Sequence, residues 1–141
     1  QNPDVLFLIG DNVYVDARKG KDPLPKIDDK FVLQRYIETR QTLELYKFKV
    51  LIPTLAAWDD HDYGGNNSNR NFAYRDQSEK IFKAFFPQKK NNVVVEQGPG
   101  TATLVKFSGS TYVFFDDRMF RSEKGNREQT HFGRAQEEWF Y

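Results

Sequence analysis

The chain has 141 residues and a formal net charge of +1, with 38% apolar and 29% charged residues. This length suits one ordinary domain, and the composition is neither that of a disordered chain nor that of a membrane protein. A net charge near zero argues against a nucleic-acid surface, which needs a clustered basic excess, and no apolar stretch approaches the ~20 residues of a membrane span. The absence of cysteine excludes disulfides, thiolate metal sites and a cysteine nucleophile.

The first predicted elements are a strand and a helix. A continuous apolar run over residues 5–9, closed by a glycine, indicates a strand buried on both faces, so we expect neighbours on both sides and a partner strand from a preceding segment. A polar loop over residues 15–29 follows. Residues 30–46 then have helical spacing, with Asp28 or Asp29 placed to cap the start. The apolar positions of this helix are Leu33, Tyr36, Ile37, Leu43 and Leu45.

The middle of the chain predicts a second strand and a second helix. Residues 50–58 are apolar again, and Pro53 among them favours an edge or entry position in a sheet. Residues 59–71 are dense in Gly, Asn, Ser and Asp, which predicts a loop. Residues 72–86 return to helical spacing, and Pro87 stops the helix.

The last third predicts a hairpin and the start of another helix. Residues 101–107 and 111–117 have the β-branched and aromatic pattern of two strands joined by a turn at residues 108–110. A charged loop over residues 121–129 follows, and residues 133–141 have helical character. The whole is a mixed α/β pattern.

The first candidate for chemistry is Gly10-Asp11-Asn12-Val13-Tyr14, directly after the first strand. This position puts a carboxylate at the carboxyl edge of a sheet, where open α/β folds bind their ligands. A plain turn is the alternative, because Gly-Asp and Asp-Asn pairs favour turns.

The second candidate is Trp58-Asp59-Asp60-His61-Asp62, at the end of the second apolar segment. Like charges this close repel one another, so at least one carboxyl pKa should be raised unless a cation is present. Oxygen ligands with one imidazole suit Mg, Mn, Ca, Fe or Zn. The alternative is an exposed acidic loop that caps the following helix, but a tryptophan within so dense a cluster favours a metal site.

Two further polar positions are ambiguous. His131, the other histidine, lies in a polar stretch and is expected at the surface or in a cap. Arg118 follows Asp116 and Asp117 at the end of the second hairpin strand. It either binds a phosphate or pairs with one of these carboxylates.

Taken together, these segments resemble the alkaline phosphatase D (PhoD-like) family of metallophosphatases over nearly the whole chain. The Trp-Asp-Asp-His-Asp motif is the most specific of the matching pieces. The pieces, in chain order, are Gly10 to Tyr14, Pro53 to Trp58, Asp59 to Asp62, Asp117-Arg118 with Arg121, and Gly133 with Gln136 and Trp139. The resemblance implies a calcineurin-like fold, with two facing β-sheets flanked by helices in a four-layer αββα sandwich. The single domain of residues 1–141 would be an incomplete part of it.

The resemblance also implies roles for individual residues. Asp11 would be a metal ligand that bridges two ions, and Tyr14 would match the tyrosinate that binds ferric iron in some members. Asp60 falls where related phosphoesterases have a metal-binding Asn, and His61 would contact the phosphate or protonate the leaving oxygen. The implied substrate contacts are Asn12 and Arg118.

The implied activity is metal-dependent hydrolysis of phosphate monoesters or diesters by a metal-activated water. The resemblance favours calcium and iron among two or more metal ions, with zinc or manganese as alternatives, and a periplasmic or secreted location. The family's first ligands would precede Gln1 and its Gly-Asp-x-His motif would follow Tyr141. We therefore expect remaining segments of the same protein to complete the site.

Two other interpretations stay open. A non-catalytic metal- or phosphate-binding module on the same fold would account for the missing ligand segments. A structural or carbohydrate-binding β-rich domain would use the Tyr, Trp and Asn residues of the loops, although aromatic residues at this density more often build a core.

Overall fold

The computed structural model describes residues 3–18, 20, 23, 25–44, 47, 52–87, 94–125, 127 and 129–141. Within these residues the chain forms five strands and four helices. In chain order they are β1 (Leu6–Ile9), α1 (Asp29–Leu43), β2 (Thr54–Ala57), α2 (Asp60–Tyr63), α3 (Arg75–Phe85), β3 (Val94–Gln97), β4 (Thr103–Phe107), β5 (Ser110–Phe114) and α4 (Arg134–Phe140). No helix in this part of the chain is long and apolar enough to cross a membrane.

The strands form two small sheets. β1 and β2 pair in parallel, whereas β3, β4 and β5 form an antiparallel sheet in that order. The ring of Phe7 on β1 lies 5.0 Å from that of Tyr112 and 5.6 Å from that of Phe114, both on β5, so aromatic side chains join the two sheets. The predicted mixed α/β class is confirmed, and the four-layer sandwich stays a prediction.

β1 is less buried than its apolar sequence predicts. Ile9 is 83% exposed and Leu6 45% exposed, while Leu8 packs against the core. Among the described strands β1 pairs with β2 alone, so its other edge has no neighbouring strand there. The prediction of a strand buried on both faces is therefore wrong for the chain as the structure describes it.

The core lies between α1, α3 and the parallel sheet. Its buried members are Val13, Val15, Val32, Tyr36, Ala56, Trp58, Tyr63 and Phe82. α1 begins after Asp28, whose side chain accepts a hydrogen bond from the amide of Phe31 at 3.0 Å, as one of the two predicted caps.

α1 buries a different stripe from the one that its leucines suggest. Val32 and Tyr36 are buried, whereas Leu33 and Ile37 are each 42% exposed. Both pairs are spaced by four residues, so periodicity alone does not choose between them. The buried stripe is the one whose tyrosine hydroxyl finds an acceptor, the carbonyl oxygen of Asp62, at 3.0 Å. The predicted continuation to residue 46 lies outside the described residues after the helix ends at Leu43.

Of the remaining elements, some were predicted from local sequence signals and others were missed. α3, α4 and the β4–β5 hairpin confirm the predicted helices and strands, although the hairpin turn is shorter because β5 already begins at Ser110. The predicted loop over residues 59–71 contains the single helical turn α2. β3 was not predicted at all.

Candidate metal centre

The candidate site lies where β1 and β2 end at the same edge of the parallel sheet. Parallel pairing places Ile9 opposite Ala57, so the polar segments that follow the two strands leave the sheet side by side. The side-chain amide of Asn12 donates to the carbonyl of Ala57 at 2.8 Å and ties the two exits together. Its amide nitrogen is thus engaged within the protein, and its predicted contact with substrate stays a prediction.

Asp62 links the segment that follows β1 to the segment that follows β2. This fully buried carboxylate accepts hydrogen bonds from the amides of Val13 at 2.7 Å and Asp59 at 2.9 Å, the second as part of the capping box of α2. Burial raises the pKa of Asp62 to about 7, against the lowering effect of these N–H groups. A raised carboxyl pKa in this cluster was expected, but burial rather than a neighbouring charge is its main cause.

The backbone before the site adopts unusual conformations. Gly10 has φ +114°, and a β-carbon there would lie 3.0 Å from the β-carbon of Asp59, so glycine permits the close approach of the two segments. Asp11 has φ +52°, in the left-handed region that non-glycine residues seldom adopt. Such strain is common where a side chain is held for a function.

Three side chains converge in front of these segments. One ligand atom from each of Asp11, Asp60 and His61 lies within 4.8 Å of the other two. Oδ1 of Asp11 is buried and has no hydrogen-bond partner among the described residues. A buried carboxylate oxygen without a donor costs free energy unless a cation or water compensates it. Two carboxylates and an imidazole with one oxygen left unpaired fit a hard or borderline metal ion.

Asp60 is fixed by its own helical turn and by the loop beyond it. Its Oδ1 accepts from the amide of His61 at 2.9 Å, and its Oδ2 accepts from the amide of Asn67 at 2.6 Å. Each carboxylate oxygen has two lone pairs, so both oxygens keep capacity for a cation. The observed hydrogen bonds orient the group without saturating it.

His61 is oriented by a carboxylate that the sequence analysis missed. Its Nδ1 lies 2.5 Å from Oδ1 of Asp16, which leaves Nε2 as the nitrogen for a ligand or a proton transfer. Burial lowers the pKa of His61, but the hydrogen bond and charge of Asp16, with Asp60 and Asp11, outweigh this effect and raise it. His61 therefore keeps its proton to a higher pH than an ordinary histidine.

An alternating pattern was the signal for Asp16. Val13 and Val15 are buried in the core, and the residues that alternate with them, Tyr14 and Asp16, both contact His61. The ring of Tyr14 stacks on the imidazole with centroids 4.4 Å apart. Apolar and polar residues alternate in Val-Tyr-Val-Asp after Asn12, and this was the only local hint of Asp16, since the segment forms a bend and a turn and not a strand.

Tyr14 is half exposed and bound to Asp11. Its hydroxyl donates to Oδ2 of Asp11 at 3.0 Å, and this hydrogen bond, together with the charge of Asp11, raises the pKa of Tyr14. The phenol is therefore protonated at neutral pH in this arrangement. Its contact with a candidate ligand places Tyr14 at the site, while its role as a metal-binding tyrosinate stays a prediction.

Arg118 lies behind the site and is 7% exposed. Its guanidinium pairs with Asp59 and, at 3.2 Å, with Asp117. Of the two predicted possibilities the structure shows carboxylate pairing, with Asp117 and with the unexpected Asp59. A phosphate contact for Arg118 stays a prediction. His131 is exposed, as expected.

Asp116 is a second carboxylate whose importance the sequence did not reveal. It is fully buried, and its Oδ1 accepts from the indole nitrogen of Trp58 at 2.9 Å while its Oδ2 accepts from the amide of Thr101 at 2.9 Å. A β-carbon at Gly100 would lie 2.2 Å from that second oxygen. Asp116 thus fixes the tryptophan that immediately precedes the site.

Comparison of the chain with protein-family models, with curated proteins and with solved structures found no match. The resemblance to the alkaline phosphatase D family therefore stays a prediction.

Proposed function

We propose that this chain carries the cation-binding and proton-donating part of a metal-dependent phosphoesterase of the PhoD-like kind, acting on phosphate monoesters or diesters. The convergence of Asp11, Asp60 and His61 within 4.8 Å carries the proposal. The buried, unpaired Oδ1 of Asp11 supports it independently. In such an enzyme, bound metal ions polarise the phosphate and supply a hydroxide from water near neutral pH.

Each residue of the candidate site has its own role in this proposal. Asp11 and Asp60 would hold the cation, for which calcium and iron are preferred and zinc or manganese are alternatives. His61 would present a proton at Nε2 to the leaving oxygen as its bond to phosphorus breaks. Asp16 suits His61 to this task, because it binds Nδ1 at 2.5 Å and favours the protonated ring.

Arg118 has a supporting part in this proposal. Its ion pair with Asp59 fixes the residue that caps α2, and α2 carries both Asp60 and His61. The side chain of Arg118 is only 9% exposed and already pairs with two carboxylates, which leaves it poorly placed to contact a phosphate. We therefore assign phosphate recognition to His61 and the bound cation, and the positioning of α2 to Arg118.

A non-catalytic metal- or phosphate-binding module is the second candidate. It is favoured by the engagement of Arg118 with two carboxylates, which leaves its charge neutralised within the protein. This candidate predicts cation binding without turnover.

The test is hydrolysis of a chromogenic phosphomonoester and a phosphodiester by the purified protein. Each substrate is assayed with a chelator and with added Ca, Fe, Mn or Zn. We expect chelator-sensitive turnover that Asp60→Ala lowers by more than about 100-fold, beyond the 10–100-fold typical of outer-shell changes. Asp4→Ala is the matched control, since Asp4 is exposed and precedes the opposite end of β1.

Turnover that survives both the chelator and Asp60→Ala would overturn the proposal. Cation binding without hydrolysis of either substrate would establish the binding module instead.

A further inference from the structure

A tight turn follows α2 beside the candidate site. The amide of Ser68 donates to the carbonyl of Gly65 at 2.9 Å, and Asn67 has φ +61°. Asn66 does not share this positive φ. A hydrogen-bonded turn whose third residue alone has a positive φ is typical of type II, in which the second residue ordinarily has a φ near −60°.

The turn directs two successive amides at two carboxylates of the site. The amide of Asn66 donates to Oδ2 of Asp16 at 2.8 Å, and the amide of Asn67 donates to Oδ2 of Asp60 at 2.6 Å. Asp16 holds Nδ1 of His61, and Asp60 is a candidate ligand. One peptide segment therefore orients both the imidazole and a cation-binding carboxylate.

Close packing fixes the place of this turn. The amides of Gly64 and Gly65 both donate to the carbonyl of Asp60 at 2.9 Å. A β-carbon at Gly65, where φ is +142°, would lie 2.9 Å from Cδ1 of Ile27 and 3.5 Å from Cβ of Asp16. Glycine at position 65 therefore lets the turn pack closely against Ile27 and Asp16, with its amides on the two carboxylates.

We propose that the turn formed by residues 65–68 is the positioning element of the site, through the amides of Asn66 and Asn67. The amide of Asn66 sets the Asp16–His61 pair, and the amide of Asn67 sets Asp60 for the cation. This inference rests on the proposed function, but its consequences are measurable without turnover.

Asn66→Pro tests the first amide alone. Proline suits the second position of a type II turn and lacks the N–H, so the turn is kept while Asp16 loses its donor. We expect kcat for p-nitrophenyl phosphate to fall about 10-fold and the Kd for Mn²⁺ to stay within about threefold. The low-field ¹H NMR signal of the proton between Asp16 and Nδ1 of His61 should shift or broaden.

Gly65→Ala tests the turn as a whole. Alanine is strained at φ +142°, and its methyl group also meets Cδ1 of Ile27, so we expect the backbone of the turn to readjust and both amides to shift. The Kd for Mn²⁺, measured by calorimetry, should then rise by about 10–100-fold. Gly109→Ala is the matched control, because Gly109 also has a positive φ, +77°, but has nothing within 4 Å of its added β-carbon. Thermal unfolding of both variants separates the shared backbone strain from the effect on the site.

Two results would overturn the proposal: an unchanged NMR signal and kcat in Asn66→Pro, or the same Mn²⁺ affinity in Gly65→Ala and Gly109→Ala. If the unmodified protein binds Mn²⁺ without hydrolysing phosphate esters, the proposed function fails while the affinities and the NMR signal still decide the role of the turn. If it binds no Mn²⁺, the NMR signal alone decides, and its retention in Asn66→Pro rejects the proposal.

Discussion

At the scale of a single residue, the surroundings of Asp117 have opposing effects on its pKa. Burial raises the pKa of this group to about 6; the charges of Arg118 and Arg121 lower it, and those of Asp59 and Asp116 raise it. Arg118 is shared with Asp59, and Arg121 is 3.8 Å away, so the two cations compensate the burial only in part. Oδ1 of Asp117 is also buried without a partner among the described residues.

The raised pKa of Asp117 predicts a pH-dependent stability. Its folded-state pKa, about 6, exceeds the ordinary value of 3.8, so the folded protein binds more protons between these values and loses stability as the pH rises through this window. Asp117→Asn removes this loss. Relative to the unmodified protein, we expect the free energy of unfolding of the variant to improve by on the order of 1–2 kcal/mol between about pH 4 and pH 7, after discounting for partial exposure.

Urea unfolding at several pH values across this window measures the difference. Asp4→Asn is the control, because Asp4 is exposed and lies away from Arg118 and Asp59 in the sequence. A constant difference between Asp117→Asn and the unmodified protein would show that Asp117 is not the titrating group.

At the scale of elements, a buried amide ties α4 to the segment that follows β5. Gln136 is fully buried, and its Oε1 accepts from the amide of Asp116 at 2.7 Å. Its Nε2 donates to the carbonyls of Asp116 at 2.8 Å and Phe132 at 2.9 Å. Because Asp116 also holds Trp58, this attachment extends to the segment that carries the candidate site.

Gln136→Leu should therefore be strongly destabilising. Leucine has a similar volume but leaves the buried amide and carbonyl of Asp116, and the partly buried carbonyl of Phe132, without this partner, at about 1–3 kcal/mol for each fully unsatisfied group. Allowing for partial relaxation, we expect a loss of about 2–4 kcal/mol in the free energy of unfolding, measured in urea. Gln34→Leu on the exposed side of α1 should change it by less than about 0.5 kcal/mol. A loss of similar size in both variants would contradict this account.

The sequence predicted the elements with strong local signals and missed those that depend on distant partners. The α3 pattern and the hairpin alternation are local, and both were confirmed. The spacing of apolar residues did not decide which face of α1 is buried, because the acceptor for Tyr36 lies in α2, which is remote in sequence. The prediction that β1 is buried on both faces was wrong, because an apolar run does not reveal how many strands flank it. β3 was missed since its partner among the described strands, β4, lies beyond a loop.

At the scale of the whole molecule, parallel pairing accounts for how much of the site was predictable. The rule that ligands gather at the carboxyl ends of strands pointed to Asp11, and the resemblance implied metal-binding roles for Asp11 and Asp60. The structure brings both carboxylates together with His61. Their roles remain predictions. Asp16 was missed because its contact with His61 depends on how two loops pack. The partner of Arg118 was likewise not predictable, because the ion pair depends on where the fold places Asp59.

Cation binding should link this site to the stability of the entire fold. Asp11 follows β1 and Asp60 follows β2, so a cation shared by them would join the two strands of the parallel sheet. A ligand that binds only the folded protein stabilises it by about 2.7 kcal/mol at 100 times its Kd. For a domain of this size that corresponds to a rise of about 5–15 °C in the Tm.

We therefore expect added Mn²⁺ or Ca²⁺ to raise the Tm and a chelator to reverse the rise. Asp60→Ala should lose the rise, because it removes one of the two carboxylates that the cation would join, whereas Asp4→Ala should keep it. Differential scanning calorimetry at several cation concentrations gives the dependence that linkage requires, since the Tm must continue to increase with the logarithm of the concentration above the Kd. An equal rise in Asp60→Ala would place the stabilising cation elsewhere on the protein, and the parallel sheet would then be held together without it.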